Sequence, residues 1–304
     1  MHSKFEIIKR NFRRKRYAYT LVAPMVIAMV VLILYPIARV VWMSFCDYYL
    51  AHPASHTFIG LQNYKAVINA FEFNNAVRVT GIYLVVTVPV RFVLGLIIAL
   101  LMNKPFRGQT VARSMLILPW ALPVVIASLV WVWLFNIDYG IINHLLLRFN
   151  LIEKPLGFLS SMDLALPSVI LVNIWKGTSF IAFMLLAGLQ SIPNDLYEAA
   201  EIDGASKWQQ FYSITMPMLK PVSNFLLVLL FICTIREFEL VYVMTSGGPA
   251  RATELFNIFL YKTAFTNMQF GQASAGGVML LLLSLALTII FLKFYGEEEE
   301  SATW

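Results

Sequence analysis

The chain has 304 residues, of which 59% are hydrophobic and 13% charged, with a formal net charge of +6. A soluble domain carries about 25% charged residues, so a deficit spread along the whole length excludes an ordinary globular domain and points to a polytopic membrane protein. The positive charge does not point to nucleic acid, because seven of the Lys and Arg residues fall in the first sixteen positions, just before an apolar run. A basic head in that place is an orientation signal.

The head, residues 1–17, and the run after it share features with a secretory signal peptide. The run is too long for one, and it continues through Ala38–Phe45 without a small-x-small cleavage site, so it reads as a retained first span. In chain order, six stretches reach the roughly 20 apolar residues needed to cross the hydrocarbon: about 18–45, 76–102, 114–136, 164–190, 221–245 and 271–295. With the N-terminus inside, the inner segments hold twelve Lys and Arg and the outer ones five, which places both ends in the cytoplasm. The expected organisation is all-α: a basic cytoplasmic N-terminus (1–17), a six-helix transmembrane domain (18–295) with a cytoplasmic loop at 191–220, and an acidic cytoplasmic tail (296–304). Outside, "FIGLQNYKAVI", "YGIINHLLLRFN" and "ATELFNIFLYKTAF" read as short amphipathic pieces against the membrane face. Cys46 and Cys233 are the only cysteines and imply neither a metal site nor a disulfide framework.

The loop between spans four and five, "EAAEIDGASKWQQFYSITMPMLKP", is polar, helix-prone and long. Pro193 ends span four, and Asn194 or Asp195 can cap a new helix, with Asp195 and Glu198 spaced as a capping box. Leu196, Ala199, Ala200 and Asp203 share one face, and Gly204 falls where a helix ends in the left-handed conformation. Ser206 can cap a second helix with a mostly aromatic face of Trp208, Phe211, Tyr212 and Thr215, and Pro217 and Pro221 close the unit. By periodicity alone this is either an amphipathic hairpin resting on the membrane surface or a docking element.

The pattern Glu198-Ala199-Ala200, then Gly204, Ile214 and Pro217, resembles the EAA loop of binding-protein-dependent ABC importer permeases, with Met216 where that family usually has Leu. "FIGLQNY", "IWKGTSFIAFMLLAGLQSIP" and "YVMTSGGPARATELFNIFLYKTAF" resemble the carbohydrate-uptake members of that family, of the MalF/UgpA type, over about residues 18–295. The resemblance implies the importer-permease fold and a loop that sits in a cleft of a cytoplasmic ATPase and moves with it. On that basis Glu198, Ala199, Ala200, Asp203, Gly204, Ile214 and Pro217 are the candidate coupling residues. Glu198 would cap the first helix or pair with the ATPase, Gly204 would make the elbow, and Pro217 would fix the exit into span five. It also implies a second permease subunit, two copies of the ATPase, an external sugar-binding protein, and no cofactor on this chain, with ATP and Mg on the ATPase.

No Gly-Lys pair occurs, so there is no Walker A loop, and no His-Glu-x-x-His, Gly-x-Ser-x-Gly or Cys-x-x-Cys motif is present. His2, His52, His56 and His144 are the only histidines; the pair at 52 and 56 reads as surface. Lys176 and Arg236 fall deep in spans, where a charge costs about 2.5–3.5 kcal/mol, and Arg91 is similarly placed beside Pro89. Asn173, Lys176, Thr178, Arg236, Glu237 and Glu239 are the candidate solute path. Arg236 and Glu239, three apart, can pair while Glu237 points elsewhere. Both a polar path and structural ion pairing between spans fit these charges. A secondary carrier or channel without ATP is the competing class; it predicts inverted repeats and broken helices meeting at mid-membrane, and no internal repeat relates 1–150 to 151–304.

Overall fold

The computed structural model describes residues 16–51 and 57–301. The basic head up to residue 15, His52, His56 and the last three residues of the acidic tail lie outside them, while 296–301 continue the final helix. The described residues fall into two compact units, those up to 68 with 262–282, and 69–261 with those from 283 on.

In the first unit, α1 (Arg16–Met29) and α2 (Tyr35–Ser44) are joined by a π turn, Val30–Leu34, into one rod. Its apolar window is wholly uncovered within the chain, as a lipid-facing span requires. The π turn lies directly before Pro36. A proline ring crowds the carbonyl four residues back and lacks its own N–H, and the wider turn, in which Tyr35 N–H reaches Val30 O, accommodates it. After the rod come a two-residue hairpin of β1 (Cys46–Asp47) with β2 (Thr57–Phe58), then α3 (Gln62–Asn69). Buried Asn63 ties this turn together, donating to Ser44 O at 3.0 Å and Cys46 O at 2.8 Å.

The second unit holds α4 (Phe71–Asn103), α5 (Gln109–Ala121), α6 (Val124–Leu134), α7 (Ile141–Arg148) and α8 (Met162–Gln190). It continues with α9 (Asn194–Ile202), α10 (Lys207–Gln210), α11 (Met216–Ile235), α12 (Glu239–Thr245) and α13 (Phe256–Tyr261). The last helix, α14 (Phe270–Ser301), passes from the first unit into the second. The second unit is built on α4 against α8, the most buried of the spans. Gly95 lets them meet closely: a Cβ there would lie 2.7 Å from the Ile181 side chain.

Two apolar clusters form along this pair. One gathers Val79 and Tyr83 of α4 with Val169, Ile170 and Val172 of α8 and Leu240 of α12. The other gathers Ala99 of α4 with Ile181, Leu185 and Leu189 of α8 and Leu219, Leu226 and Leu230 of α11. Between them both helices turn polar.

Among the described residues five helices are long and apolar enough to cross a membrane, or six if a bent pair is one span. Two expected spans change. The third is not one helix over 114–136: α5 and α6 meet at 94° across Leu122 and Pro123. The apolar composition is the same whether the run is straight or bent, and Pro123, with no N–H to give the preceding turn, breaks it. The fifth does not begin at 221 or reach 245. Its helix runs from Lys207 to Ile235 and breaks before α12. Pro217 therefore does not close the loop, because a second π turn, Phe211–Thr215, stands before it as the first stands before Pro36.

Candidate functional site

The polar layer begins with Arg91. It lies on α4 on the same face as Thr87 and Tyr83, four and eight residues back, and across from Asn173, Lys176 and Gly177 of α8. Lys176 is the midpoint of α8. The Arg91 guanidinium rests on the α8 backbone, and a Cβ built on Gly177 would fall inside it. Arg91 Nη1 donates to Asn173 Oδ1 at 3.2 Å, and Asn173 Nδ2 donates to Glu237 Oε2 at 2.9 Å. Glu237 Oε1 accepts from Phe238 N at 3.2 Å and Leu240 N at 3.4 Å, serving the free amides where α12 begins. Asn257 does the same for the other side of this break, donating to Ile235 O at 2.9 Å and Glu237 O at 3.1 Å.

The break between α5 and α6 has its own cap. Lys176 Nζ donates to Leu122 O at 2.6 Å and to Pro119 O and Trp120 O at 3.2 Å each. An ammonium has three N–H bonds, and all three carbonyls belong to the open end of α5. Phe180, one turn on from Lys176, stacks on Trp120 with ring centroids 5.4 Å apart. The two breaks and the polar layer line a half-open cavity of about 140 Å³, with Trp120 and Val124 on one side and Cys233, Glu237 and Leu240 on another. Irregular backbone at membrane depth is tolerated where it lines such a cavity.

The six candidate path residues divide. Asn173, Lys176 and Glu237 converge on the cavity. Thr178 is buried beside it without lining it. Arg236 and Glu239 are exposed, and among the described residues they form no ion pair. Glu237 takes the inward position instead, because Arg236 ends α11 and the chain then turns. Arg91 and Gly177 belong to the site and were not placed in the path by sequence. A stripe of Tyr83, Thr87 and Arg91 on one face of the apolar stretch from Gly81 to Met102 is the signal that marks it.

The hairpin over 191–220 keeps its expected outline with a different start. Pro193, extended at φ −61° and ψ 132°, precedes the first helical residue, and no side chain caps α9. Asp195 and Glu198 thus form no capping box; Asp195 sits in the first turn, where a carboxylate favours the helix dipole. Gly204 has φ +76°. Gly204 N donates to Glu201 O at 3.1 Å and Ala205 N to Ala200 O at 2.8 Å, the paired bonds of a left-handed helix end. Ser206 and Gln209 form a reciprocal capping box on α10. Lys207 pairs with Glu201 across the elbow and holds that carboxyl below the usual range, chiefly by the side-chain hydrogen bond. Tyr197, which sequence did not single out, anchors the hairpin: its hydroxyl lies 2.9 Å from Thr215 Oγ1, and with Ile214 it packs on the second apolar cluster. Of the other candidate coupling residues, Glu198, Ala199, Asp203, Gly204 and Pro217 are exposed and Ala200 is half-buried. On the same hairpin Ile202, Trp208 and Tyr212 are exposed at 87%, 70% and 65%.

Apolar spans, a polar cavity at the meeting of two helix breaks and a structured hairpin with an apolar outer face define a multi-pass membrane transport subunit. Helix breaks alone do not distinguish an ATP-driven from an ATP-independent one. The chain belongs to the family described as binding-protein-dependent transport system inner membrane component, which matches residues 91–295. It is 37% identical to the sulfoquinovosyl glycerol transport system permease protein SmoG of Agrobacterium fabrum, over 91% of this chain and 89% of that one. It is 35% identical to the trehalose/maltose transport system permease protein MalF of Thermococcus litoralis, over 94% and 95%. Its fold matches a chain of a bacterial ABC transporter that imports the acidic polysaccharide alginate, with a TM-score of 0.84 and 21% identity over 94% and 97% of the two chains.

Proposed function

We propose that this permease forms half of the path for a sugar or sugar-like solute and is driven by ATP hydrolysed on a separate subunit. The hairpin carries the reading. It exposes the apolar residues Ile202, Trp208 and Tyr212 together with the small residue Ala199, and Tyr197 and Ile214 fix its base to the spans. A rigid surface of that kind suits docking into a protein cleft. The ATPase would hold ATP and Mg, which this chain has no Walker A loop to bind. A second permease, two ATPase copies and an external binding protein complete the assembly. Both termini, the head at 1–17, the tail at 296–304 and the hairpin face the cytoplasm in this reading, in keeping with the distribution of Lys and Arg. Glu198, Ala199, Ala200, Asp203, Gly204 and Ile214 belong to the docking unit, and Pro217 lies within the helix that leaves it. The names of the relatives in Agrobacterium and Thermococcus support the sugar class.

The two helix breaks favour one second reading, an ATP-independent carrier. Reconstitution separates the two. The chain alone in liposomes should transport nothing, and the assembly with its ATPase should take up solute only with ATP; robust uptake by the chain alone overturns the proposal.

A further inference from the structure

The cations of the polar layer are not equivalent. Lys176 gives all three N–H bonds to the end of α5. A guanidinium has five N–H donors, and among the described residues Arg91 has one taken, by Asn173, while its buried Nε meets no acceptor. Glu237 does not neutralise it by contact. Asn173 stands between them, offering oxygen to Arg91 and nitrogen to Glu237, and the carboxylate is already served by that amide and two backbone N–H groups. An arginine present only for pairing would reach the carboxylate. Instead α8 gives up a side chain at Gly177 to hold the guanidinium beside the cavity. With Arg91, Lys176 and Glu237 at its wall, the cavity has a formal charge of +1.

We propose that Arg91 receives an anionic substituent of the transported solute: a carboxylate, sulfonate or phosphate on a sugar whose ring lies along Trp120. This rests on the permease reading above. The cavity of about 140 Å³ is below the roughly 300–1,000 Å³ of a whole-ligand pocket, so it takes a substituent, with the rest of the solute outside it. With Nη1 on Asn173 and Nε buried against α8, the guanidinium meets an oxyanion through its remaining Nη donors, in charge-assisted hydrogen bonds. A neutral hydroxyl would leave the excess charge uncompensated at membrane depth.

The test uses the full chain assembled with its partner subunits in nanodiscs, without ATP. Thermal unfolding is followed with 10 mM glucose, glucuronate, glucose 6-phosphate or 6-sulfo-glucose, and with sodium sulfate as the plain anion. The expected result is an upward shift with at least one anionic hexose, little with glucose or sulfate, abolished in Arg91→Gln and partly kept in Arg91→Lys. Equal shifts with glucose, no shift with any anionic hexose, a shift kept in Arg91→Gln, or sulfate matching the anionic hexoses would each overturn it. Should Arg91→Gln fail to assemble, the comparison of charged and neutral hexoses on the unmodified complex, with Arg91→Lys, still decides. ATP-driven uptake tests the permease reading separately, and it can succeed while anionic hexoses bind no better than glucose.

Discussion

Lys176 Nζ lies 2.6 Å from Leu122 O, at the corner where α5 turns through 94° into α6. The ammonium therefore does for this helix end what a following turn would have done, and it does so from the middle of another helix. Lys176→Met should leave three carbonyls without their donor. We expect a loss of about 2 kcal/mol, seen as a lower unfolding temperature and poorer assembly, with uptake per assembled complex changed less. Lys176→Arg should rescue only part, since a planar fork does not meet three converging carbonyls as a tetrahedral ammonium does. Full uptake loss in a complex of unchanged stability would contradict this.

Gly177→Ala should be costly although alanine is the better helix former. The added methyl falls on the Arg91 guanidinium, and overpacking of this kind costs about 1–3 kcal/mol. Pairing it with Arg91→Ala removes the obstruction, so the double variant should be more stable than Gly177→Ala alone. A double-mutant cycle on unfolding temperature measures the coupling; strict additivity would mean the two side chains do not meet in the membrane.

Gly204→Val tests the elbow by backbone alone. Nothing lies within 4 Å of a Cβ at this position, so the penalty is the left-handed conformation, about 1–2 kcal/mol. Insertion into the membrane should be normal, while uptake should fall relative to ATP hydrolysis. Gly204→Asn should fare better, since asparagine visits that region more readily. Uptake by Gly204→Val at the unmodified rate would remove the elbow from the coupling path.

The Glu201–Lys207 pair should matter little. Both groups are exposed, where screening leaves ion pairs weak. Because Lys207 lowers the Glu201 pKa, any contribution is complete above the ordinary glutamate value of about 4.3 and disappears as pH falls through the lowered one. Coupling should therefore be flat from pH 6 to 8, and Glu201→Gln should keep uptake within about twofold. Ser206→Ala, which removes the capping box, should cost about 1 kcal/mol and disturb the hairpin more. A larger effect of Glu201→Gln than of Ser206→Ala would reverse the ranking.

The spans were legible because 20-residue apolar runs leave few other structures possible. So was the elbow, since glycine at a helix end and serine before a helix start are local signals that Gly204 and Ser206 carry in their own neighbourhood. The helix breaks were not. Pro123 and Pro217 look alike in sequence, yet one breaks a helix by 94° and the other continues it behind a π turn. What differs is tertiary: Lys176 supports the bend at Leu122. The same holds for Glu237. Its neighbours Arg236 and Glu239 make a better pair on paper, and only the turn after Ile235 decides which side chain faces Asn173. Arg91 was visible as a buried charge, but its partner on α8 is eighty-two residues away.

The fusion of the hairpin's second helix with the fifth span has a mechanical result. Lys207 to Ile235 is one element of 29 residues, about 44 Å long at 1.5 Å per residue. One end carries Trp208 on the outer face of the hairpin, and the other stops one turn short of the amides that hold Glu237. Such a rod acts as a lever arm: a tilt of about 5° at its hairpin end sweeps the far end through about 4 Å, on the order of the hydrogen bonds joining Glu237, Asn173 and Arg91. The π turn at Phe211–Thr215 is the irregular point on the arm, and any push at the hairpin has to pass through it to arrive at the cavity.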